Sequence, residues 1–222
     1  MNRLKFDELF LYQLMFAEIR GDREQKLAQS IPIEEEGLKT FVKNLPFPLT
    51  NAQRRAGWDI VKDMAKEEPM NRLLEGDVGS GKTAVAGLVI DHVARAGYTA
   101  VYLAPTEILA LQQHASLQKW IKKPVALMTS GQNRLGEEKV RRNDLLKAIK
   151  EGKVPVIAGT HALFEEGIEI PDLALVVIDE QHRFGVEQRH SLLNRHPAPH
   201  LLSMTATPIP RSLMLTLYGD LD

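Results

Sequence analysis

The chain has 222 residues, 44% of them hydrophobic and 26% charged, and its formal net charge at pH 7 is −1. This composition is ordinary for a globular protein with one full core and a small appendage. The sequence contains no cysteine, which excludes disulfides, thiol catalysis and a cysteine zinc site. The balanced charge neither indicates nor excludes nucleic acid, so any contact with DNA must be local.

The sequence also lacks the signals of membrane insertion and of export. Its longest apolar runs, such as residues 173–178, are far too short to span a bilayer. The first eight residues include acidic side chains and no apolar h-region, so they do not form a signal peptide. We therefore expect a cytoplasmic protein with no membrane partner.

The N-terminal part of the chain has helical patterning and lacks strand signals. Apolar residues recur there with helical spacing at Leu4, Leu11, Leu14 and Met15. A second, short helix is predicted over residues 34–43. Residues 44–48 contain two prolines, which predict a stiff, extended linker. The sequence therefore predicts a helical extension over residues 1–44 and a domain over residues 45–222.

Helices and strands alternate from Thr50, which is predicted to cap a helix. The predicted strands cover residues 72–75, 100–103, 125–128, 154–158, 175–178 and 201–204. The predicted helices cover residues 50–66, 82–96, 107–120, 137–150, 186–194 and 210–218. Strand 175–178 is apolar on both faces, which is typical of a parallel sheet covered on both sides. The alternation predicts an α/β fold with a doubly wound, mostly parallel sheet, whose ligands bind at the carboxyl ends of the strands.

A glycine-rich loop with the pattern G-x-x-x-x-G-K-T lies between a predicted strand and a predicted helix. Its residues are Gly76, Asp77, Val78, Gly79, Ser80, Gly81, Lys82 and Thr83. Glycines let such a loop turn tightly and point its N–H groups inward, and the helix N-terminus adds a positive potential. Lys82 would reach the outer phosphates, and the Thr83 hydroxyl would bind Mg²⁺. The sequence therefore predicts a site for a nucleoside triphosphate with Mg²⁺.

Two adjacent carboxylates, Asp179 and Glu180, follow the apolar strand 175–178. Phosphoryl transfer requires a phosphate cradle, a metal ion on the outer phosphates and a positioned nucleophile. We expect Asp179 to hold Mg²⁺, usually through a water, and Glu180 to orient and deprotonate the attacking water. Such a pair alone is also typical of a solvated turn, but the phosphate-binding loop in the same domain favours hydrolysis.

Residues 179–182 read D-E-Q-H and resemble the second motif of the superfamily-two helicases. Other segments resemble first-domain motifs of that superfamily in the correct order: residues 50–53, 76–83, 104–107, 129–131, 159–161 and 205–207. The resemblance implies a RecA-like domain that hydrolyses ATP, in which Gln53 reads the adenine edge. It also implies a set of residues that couple the nucleotide state to movement: Gln181, His182, Thr205, Ala206 and Thr207.

Three longer segments are similar to the RecG family, which remodels stalled replication forks. They are residues 159–164, 179–185 and 205–211. The transcription–repair coupling translocases share part of this pattern but usually carry Glu at the position of Gln181, and they remain an alternative. The family implies branched duplex DNA as a partner, together with a second motor domain and a wedge domain. The chain would then be a fragment with one motor half, binding nucleotide better than it hydrolyses it.

Two other classes of protein are alternatives to a helicase motor domain. A P-loop kinase would lack the ordered motifs around residues 179–182. A nucleotide-binding module without turnover stays open for the isolated chain.

The superfamily grips one DNA strand by its phosphates, which implies contacts from Thr106, Gly131, Thr160 and His161. A hydroxyl at a helix N-terminus can bind phosphate without net basic charge, although Thr106 and Thr160 also fit simple helix caps. The sequence also leaves open whether Phe47 or Phe41 stacks on adenine or packs in the core. Three arginines lie near acidic residues and are predicted to belong to a solvated helix face: Arg134, Arg141 and Arg142.

Overall fold

The computed structural model of the chain describes residues 27–160, 163, 168–179 and 197–206. Within these ranges the helices are α1 (Glu35–Asn44), α2 (Asn51–Met64), α3 (Lys82–Arg95), α4 (Glu107–Trp120) and α5 (Arg142–Lys150). The strands are β1 (Asn71–Glu75), β2 (Thr99–Leu103), β3 (Val125–Met128), β4 (Asn133–Leu135), β5 (Glu138–Lys139), β6 (Val156–Gly159), β7 (Leu173–Asp179) and β8 (His200–Thr205). Most of these bounds lie close to the predicted ones.

The strands form one sheet in the order β1-β8-β7-β2-β6-β3-β4-β5. The first six strands of this order, from β1 to β3, are parallel to their neighbours. Among the described strands, the β3–β4 and β4–β5 pairs at one side of the sheet are antiparallel. Parallel strands end at the same edge of a sheet, so the carboxyl ends of β1, β2, β3, β6, β7 and β8 lie along one edge. The predicted mostly parallel sheet is confirmed.

Hydrophobic residues cover both faces of the sheet. On one face, Tyr102 and Val177 belong to a core cluster that includes apolar side chains of α1, α2, α3 and α4. On the other face, Val101 and Val176 pack in a cluster with Leu145 of α5. Helices on both faces confirm the doubly wound arrangement. In the part of the chain that the structure describes, no helix is both long and apolar enough to cross a membrane.

The helix predicted over residues 137–150 is wrong in its first turn. Residues 133–139 form the β4–β5 hairpin, in which Leu135 pairs with Ala126 of β3 and Gly136 makes the turn with a φ of 62°. Arg134 therefore lies on a strand with its Nε buried, not on a solvated helix face. Arg141 pairs with Asp144 at 2.8 Å, and both side chains are largely exposed, as predicted. The predicted helices over residues 186–194 and 210–218, and the apolar stripe from Leu4 to Met15, lie outside the described residues.

Residues 27–45 pack against the α/β domain. Ile31 and Phe41 are fully buried in the same core cluster as α2 and α3. His200, on β8, accepts a hydrogen bond from the Met70 backbone N–H at its Nδ1, and its Nε2 lies 2.9 Å from the Gln29 carbonyl oxygen. These contacts attach the described part of the N-terminal segment to the amino end of β8. The domain boundary at residue 44 stays a prediction.

Candidate nucleotide and DNA site

The predicted phosphate-binding loop joins the carboxyl end of β1 to the first turn of α3. Gly79 and Gly81 have φ values of 79° and 81°, which other residues rarely adopt. Gly81 is the N-cap of α3, and its carbonyl oxygen accepts a hydrogen bond from the Ala84 N–H at 2.9 Å. Residues 77–80 are exposed. The positive end of α3 therefore faces an accessible loop, as an anion site requires.

Lys82 directs its ammonium group over this loop. Its Nζ donates to the carbonyl oxygens of Gly76 and Asp77, the second at 2.9 Å. Phosphate oxygens would be better partners than these neutral carbonyls, because they add the attraction between opposite charges to the hydrogen bonds of the ammonium group. The position of the Lys82 side chain thus fits the predicted contact with the outer phosphates.

Gln53 lies in the first turn of α2 and contacts the same loop. Its side-chain Oε1 accepts from the Thr50 backbone N–H at 2.8 Å, and its backbone N–H donates to Thr50 Oγ1, so the two residues form a capping box. Its Nε2 donates to the carbonyl oxygen of Ser80 at 2.7 Å. A Cβ atom on Gly81 would lie 2.3 Å from this nitrogen, so only glycine leaves room for the contact.

Asp179 is the last residue of β7, at the sheet edge that carries the loop. Its Oδ2 accepts a hydrogen bond of 2.7 Å from the hydroxyl of Tyr102, on the neighbouring strand β2. Thr83 and Asp179 are both half-buried and supply oxygen ligands, which Mg²⁺ prefers. Among the described residues, no group of three or more His, Cys, Asp or Glu side chains could hold a metal ion. The Thr83 hydroxyl and the Asp179 carboxylate fit Mg²⁺ bound mainly by substrate phosphates, which needs only one or two carboxylates.

Part of the set predicted to couple nucleotide to movement lies at the end of β8. Thr205 is buried, and its carbonyl oxygen accepts from the Gly76 N–H at 3.3 Å. The strand that ends in this motif therefore contacts the start of the phosphate-binding loop directly. Ala206 follows as a half-buried bend. Five further predicted site residues lie outside the described residues: Glu180, Gln181, His182, His161 and Thr207.

The segments predicted to contact DNA share the same sheet edge. Thr106 caps α4, with its hydroxyl accepting from the Leu109 N–H at 3.3 Å. Glu107 accepts from the backbone N–H of Gly131 at 2.9 Å, which joins the segments after β2 and β3. Gly131 is exposed, whereas Thr160 is only 3% exposed. A DNA contact from the Thr160 hydroxyl would thus require a conformation other than this one.

The two phenylalanines considered for adenine stacking differ in their environment. Phe41 is 1% exposed and belongs to the core. Phe47 is 39% exposed, and its ring meets Trp120 edge to face with centroids 5.9 Å apart. Of these two phenylalanines, Phe47 is therefore the accessible one.

Sequence reasoning missed two residues of the site. The sequence indicates Tyr102 only as part of an apolar strand, and Glu107 only as the start of a helix and the last residue of the motif segment 104–107, with no role of its own. The contact of Tyr102 with Asp179 depends on the pairing of β2 with β7, which sequence spacing does not give. An acidic residue at the first position of a helix, next to a predicted phosphate contact, was a signal for Glu107.

The sequence matches the model of the DEAD/DEAH box helicase family over residues 50–215, and the chain belongs to this family. Within it, the chain is similar to ATP-dependent DNA helicase RecG. It is 45% identical to the protein of Thermotoga maritima over 224 residues, which is all of this chain and 28% of that relative. It is 45% identical to the protein of Bacillus subtilis, again over all of this chain and over 32% of that relative.

The chain is also similar to solved structures. The structure of RecG bound to a three-way DNA junction matches with a TM-score of 0.85 and 41% identity, covering all of this chain and 29% of that chain. A DEAD box protein of Methanococcus jannaschii matches with a TM-score of 0.51 and 18% identity, over 80% of this chain and 54% of that one, and this shows the fold alone. The chain thus spans about 30% of the length of the RecG proteins that it matches.

Proposed function

We propose that this chain is the first motor domain of an ATP-dependent DNA helicase that remodels branched DNA such as stalled replication forks. ATP hydrolysis in this domain would be coupled to movement on duplex DNA. The observation that carries the proposal is one sheet edge on which the phosphate-binding loop, Asp179 and the segments around Thr106 and Gly131 meet. The similarity to RecG along the whole chain supports branched DNA as the substrate.

Different residues at this edge would bind the nucleotide, hold the metal ion and promote hydrolysis. The loop N–H groups and Lys82 would bind the phosphates, and Gln53 would read the adenine edge. Thr83 and Asp179 would hold Mg²⁺, which when bound neutralises charge on the outer phosphates. Glu180 would orient the attacking water and accept its proton.

Coupling and DNA contact would use the remaining residues of the edge. Gln181, His182, Thr205, Ala206 and Thr207 would transmit the nucleotide state, since β8 already contacts the loop through Thr205 and Gly76. Phosphate contacts would come from Thr106, Gly131, Thr160 and His161, and they would fix the register on DNA without reading sequence. The second motor domain and the wedge domain would be partners within the same natural protein, in the cytoplasm.

The test uses the full natural protein that carries this sequence. ATP hydrolysis and strand separation are measured with no DNA, with linear duplex and with forked DNA of the same length. We expect forked DNA to stimulate hydrolysis most and to be unwound. Absence of stimulation by any DNA would favour a nucleotide-binding module instead. Equal stimulation by both DNAs, together with displacement of stalled RNA polymerase, would favour the transcription–repair coupling alternative.

A further inference from the structure

Tyr102 is a buried tyrosine whose hydroxyl reaches the nucleotide site from inside the core. Its side chain is fully buried, in the cluster on the face of the sheet that carries α3. Tyr102, on β2, lies opposite Val177 of the neighbouring strand β7. Asp179 follows two residues later on the same face, because side chains alternate along a strand. The hydroxyl therefore approaches Asp179 Oδ2 diagonally across the two strands, at 2.7 Å.

This contact has the properties of a strong hydrogen bond. A short O–H···O⁻ contact to a carboxylate is charge-assisted, and the rigid ring of Tyr102 is enclosed by the core. The bond holds one carboxylate oxygen, so it restricts the rotation of the Asp179 side chain. Partners of this kind, behind a metal ligand, set its orientation and typically change metal affinity 10- to 100-fold when they are removed.

We propose that Tyr102 is a positioning residue that orients the Asp179 carboxylate toward Mg²⁺ at the nucleotide. The inference rests on the proposed function, because it requires Asp179 to act at the metal. Tyr102 touches neither substrate nor metal in this role. In this role it acts through Asp179, and its effect therefore depends on the metal ion and not on the nucleotide itself.

The experiment measures binding of Mn²⁺, as a probe for Mg²⁺, by electron paramagnetic resonance in the presence of a non-hydrolysable ATP analogue. Tyr102→Phe keeps the ring and removes the hydroxyl. We expect Mn²⁺ affinity to fall about tenfold or more, with the analogue's affinity in EDTA unchanged. Tyr98→Phe makes the same chemical change just before β2 begins, at the end of the strand away from Asp179, and should leave both affinities unchanged.

A double-mutant comparison separates positioning from a general structural effect. In an Asp179→Asn background, Tyr102→Phe should no longer change Mn²⁺ affinity, because the group that it positions has lost its charge. If Tyr102→Phe alone gives the same Mn²⁺ affinity as Tyr98→Phe, the inference is wrong. If wild-type protein binds no Mn²⁺ with the analogue, or if Asp179→Asn binds it as well as wild type, the proposed function itself fails at this site.

A second measurement tests the inference even if the Tyr102→Phe variant does not fold. 3-Fluorotyrosine is placed at position 102, which retains the hydroxyl, and its ¹⁹F resonance is followed. Adding Mg²⁺ to the complex with the analogue should shift this resonance, because Asp179 redistributes its charge toward the metal. An unchanged resonance, while Mg²⁺ binding is seen by calorimetry, would overturn the inference.

Discussion

The Nε2 atom of Gln53 donates a hydrogen bond to the carbonyl oxygen of Ser80 at 2.7 Å, which ties the first turn of α2 to the phosphate-binding loop. The same carboxamide accepts from the Thr50 N–H. A carboxamide has two N–H donors and two lone pairs, so one of each remains for a ligand. Gln53 can thus hold the loop and still present the donor and acceptor that an adenine edge requires.

Gln53→Ala should therefore weaken binding of ATP more than binding of GTP or CTP. The variant loses the proposed contact with the base and the observed side-chain contacts with Thr50 and Ser80, and only the first distinguishes between bases. Competition titrations with the three nucleotides check this, with Gln112→Ala, an exposed residue on α4, as the matched control. A wild-type protein without preference for adenine would show that the assignment is wrong.

Glu107→Ala should weaken DNA binding without changing nucleotide affinity. The change removes the acceptor of the Gly131 N–H and so releases two segments that are proposed to contact phosphates. Loss of one hydrogen bond, at about 0.5–1.5 kcal/mol, corresponds to roughly a 2- to 12-fold weaker complex. Fluorescence anisotropy with labelled forked DNA measures the effect.

Glu107→Gln is the control for the same position. It retains a hydrogen-bond acceptor and removes a negative charge close to the proposed DNA path, so DNA affinity should stay equal or rise. Equal weakening by the Ala and Gln variants would mean that the charge of Glu107, and not its bond to Gly131, is what matters.

Stability should fall below pH 6.5 partly because of His200. Burial lowers the pKa of His200 from its ordinary value of 6.5, more than its hydrogen bond to Gln29 raises it. The unfolded chain therefore takes up the proton first as the pH falls. The contribution of the neutral ring is complete above 6.5, and it is lost progressively as the pH drops from there toward the lowered pKa.

Urea unfolding at pH 7.5 and at pH 5 tests this assignment. His200→Asn should reduce the loss of stability between the two values, since a single proton accounts for at most about 1.4 kcal/mol per pH unit. His114 is also buried with a lowered pKa, so some pH dependence will remain. An unchanged difference in the variant would exclude His200 as a contributor.

The elements with distinct boundary signals could be predicted from sequence. The Thr106 cap fixed the start of α4, and the apolar run before Asp179 indicated β7. The β4–β5 hairpin could not be predicted, because its short strands carry charged residues and are held by pairing with β3. The contacts of Tyr102 with Asp179 and of Glu107 with Gly131 join distant parts of the chain, so they depend on the register of the sheet. The phosphate-binding loop was found because its chemistry is contained in consecutive residues.

Glu180→Gln should separate nucleotide binding from turnover. The change retains size and hydrogen bonding but removes the charge that polarises the attacking water. ATP affinity should stay within about tenfold, about 1.4 kcal/mol, while turnover falls by roughly 10²- to 10⁴-fold. DNA-stimulated phosphate release at saturating ATP, in the full natural protein, is the appropriate assay. Near-normal release would mean that Glu180 is not the base, and the alternatives would be His182 as the base or Gln181 as the residue that orients the water.

Residues 76–83 are proposed to bind the phosphates of ATP, and calorimetric titration of an ATP analogue with Mg²⁺ measures this binding. Lys82 covers the loop from the first turn of α3. Lys82→Ala should leave the circular dichroism spectrum unchanged and weaken binding by roughly 10- to 150-fold, since a hydrogen bond to a charged group contributes about 1.5–3 kcal/mol. Lys122→Ala, at an exposed lysine after α4, should bind like wild type. A folded Lys82→Ala variant with wild-type affinity for the analogue would show that residues 76–83 do not bind the phosphates as proposed.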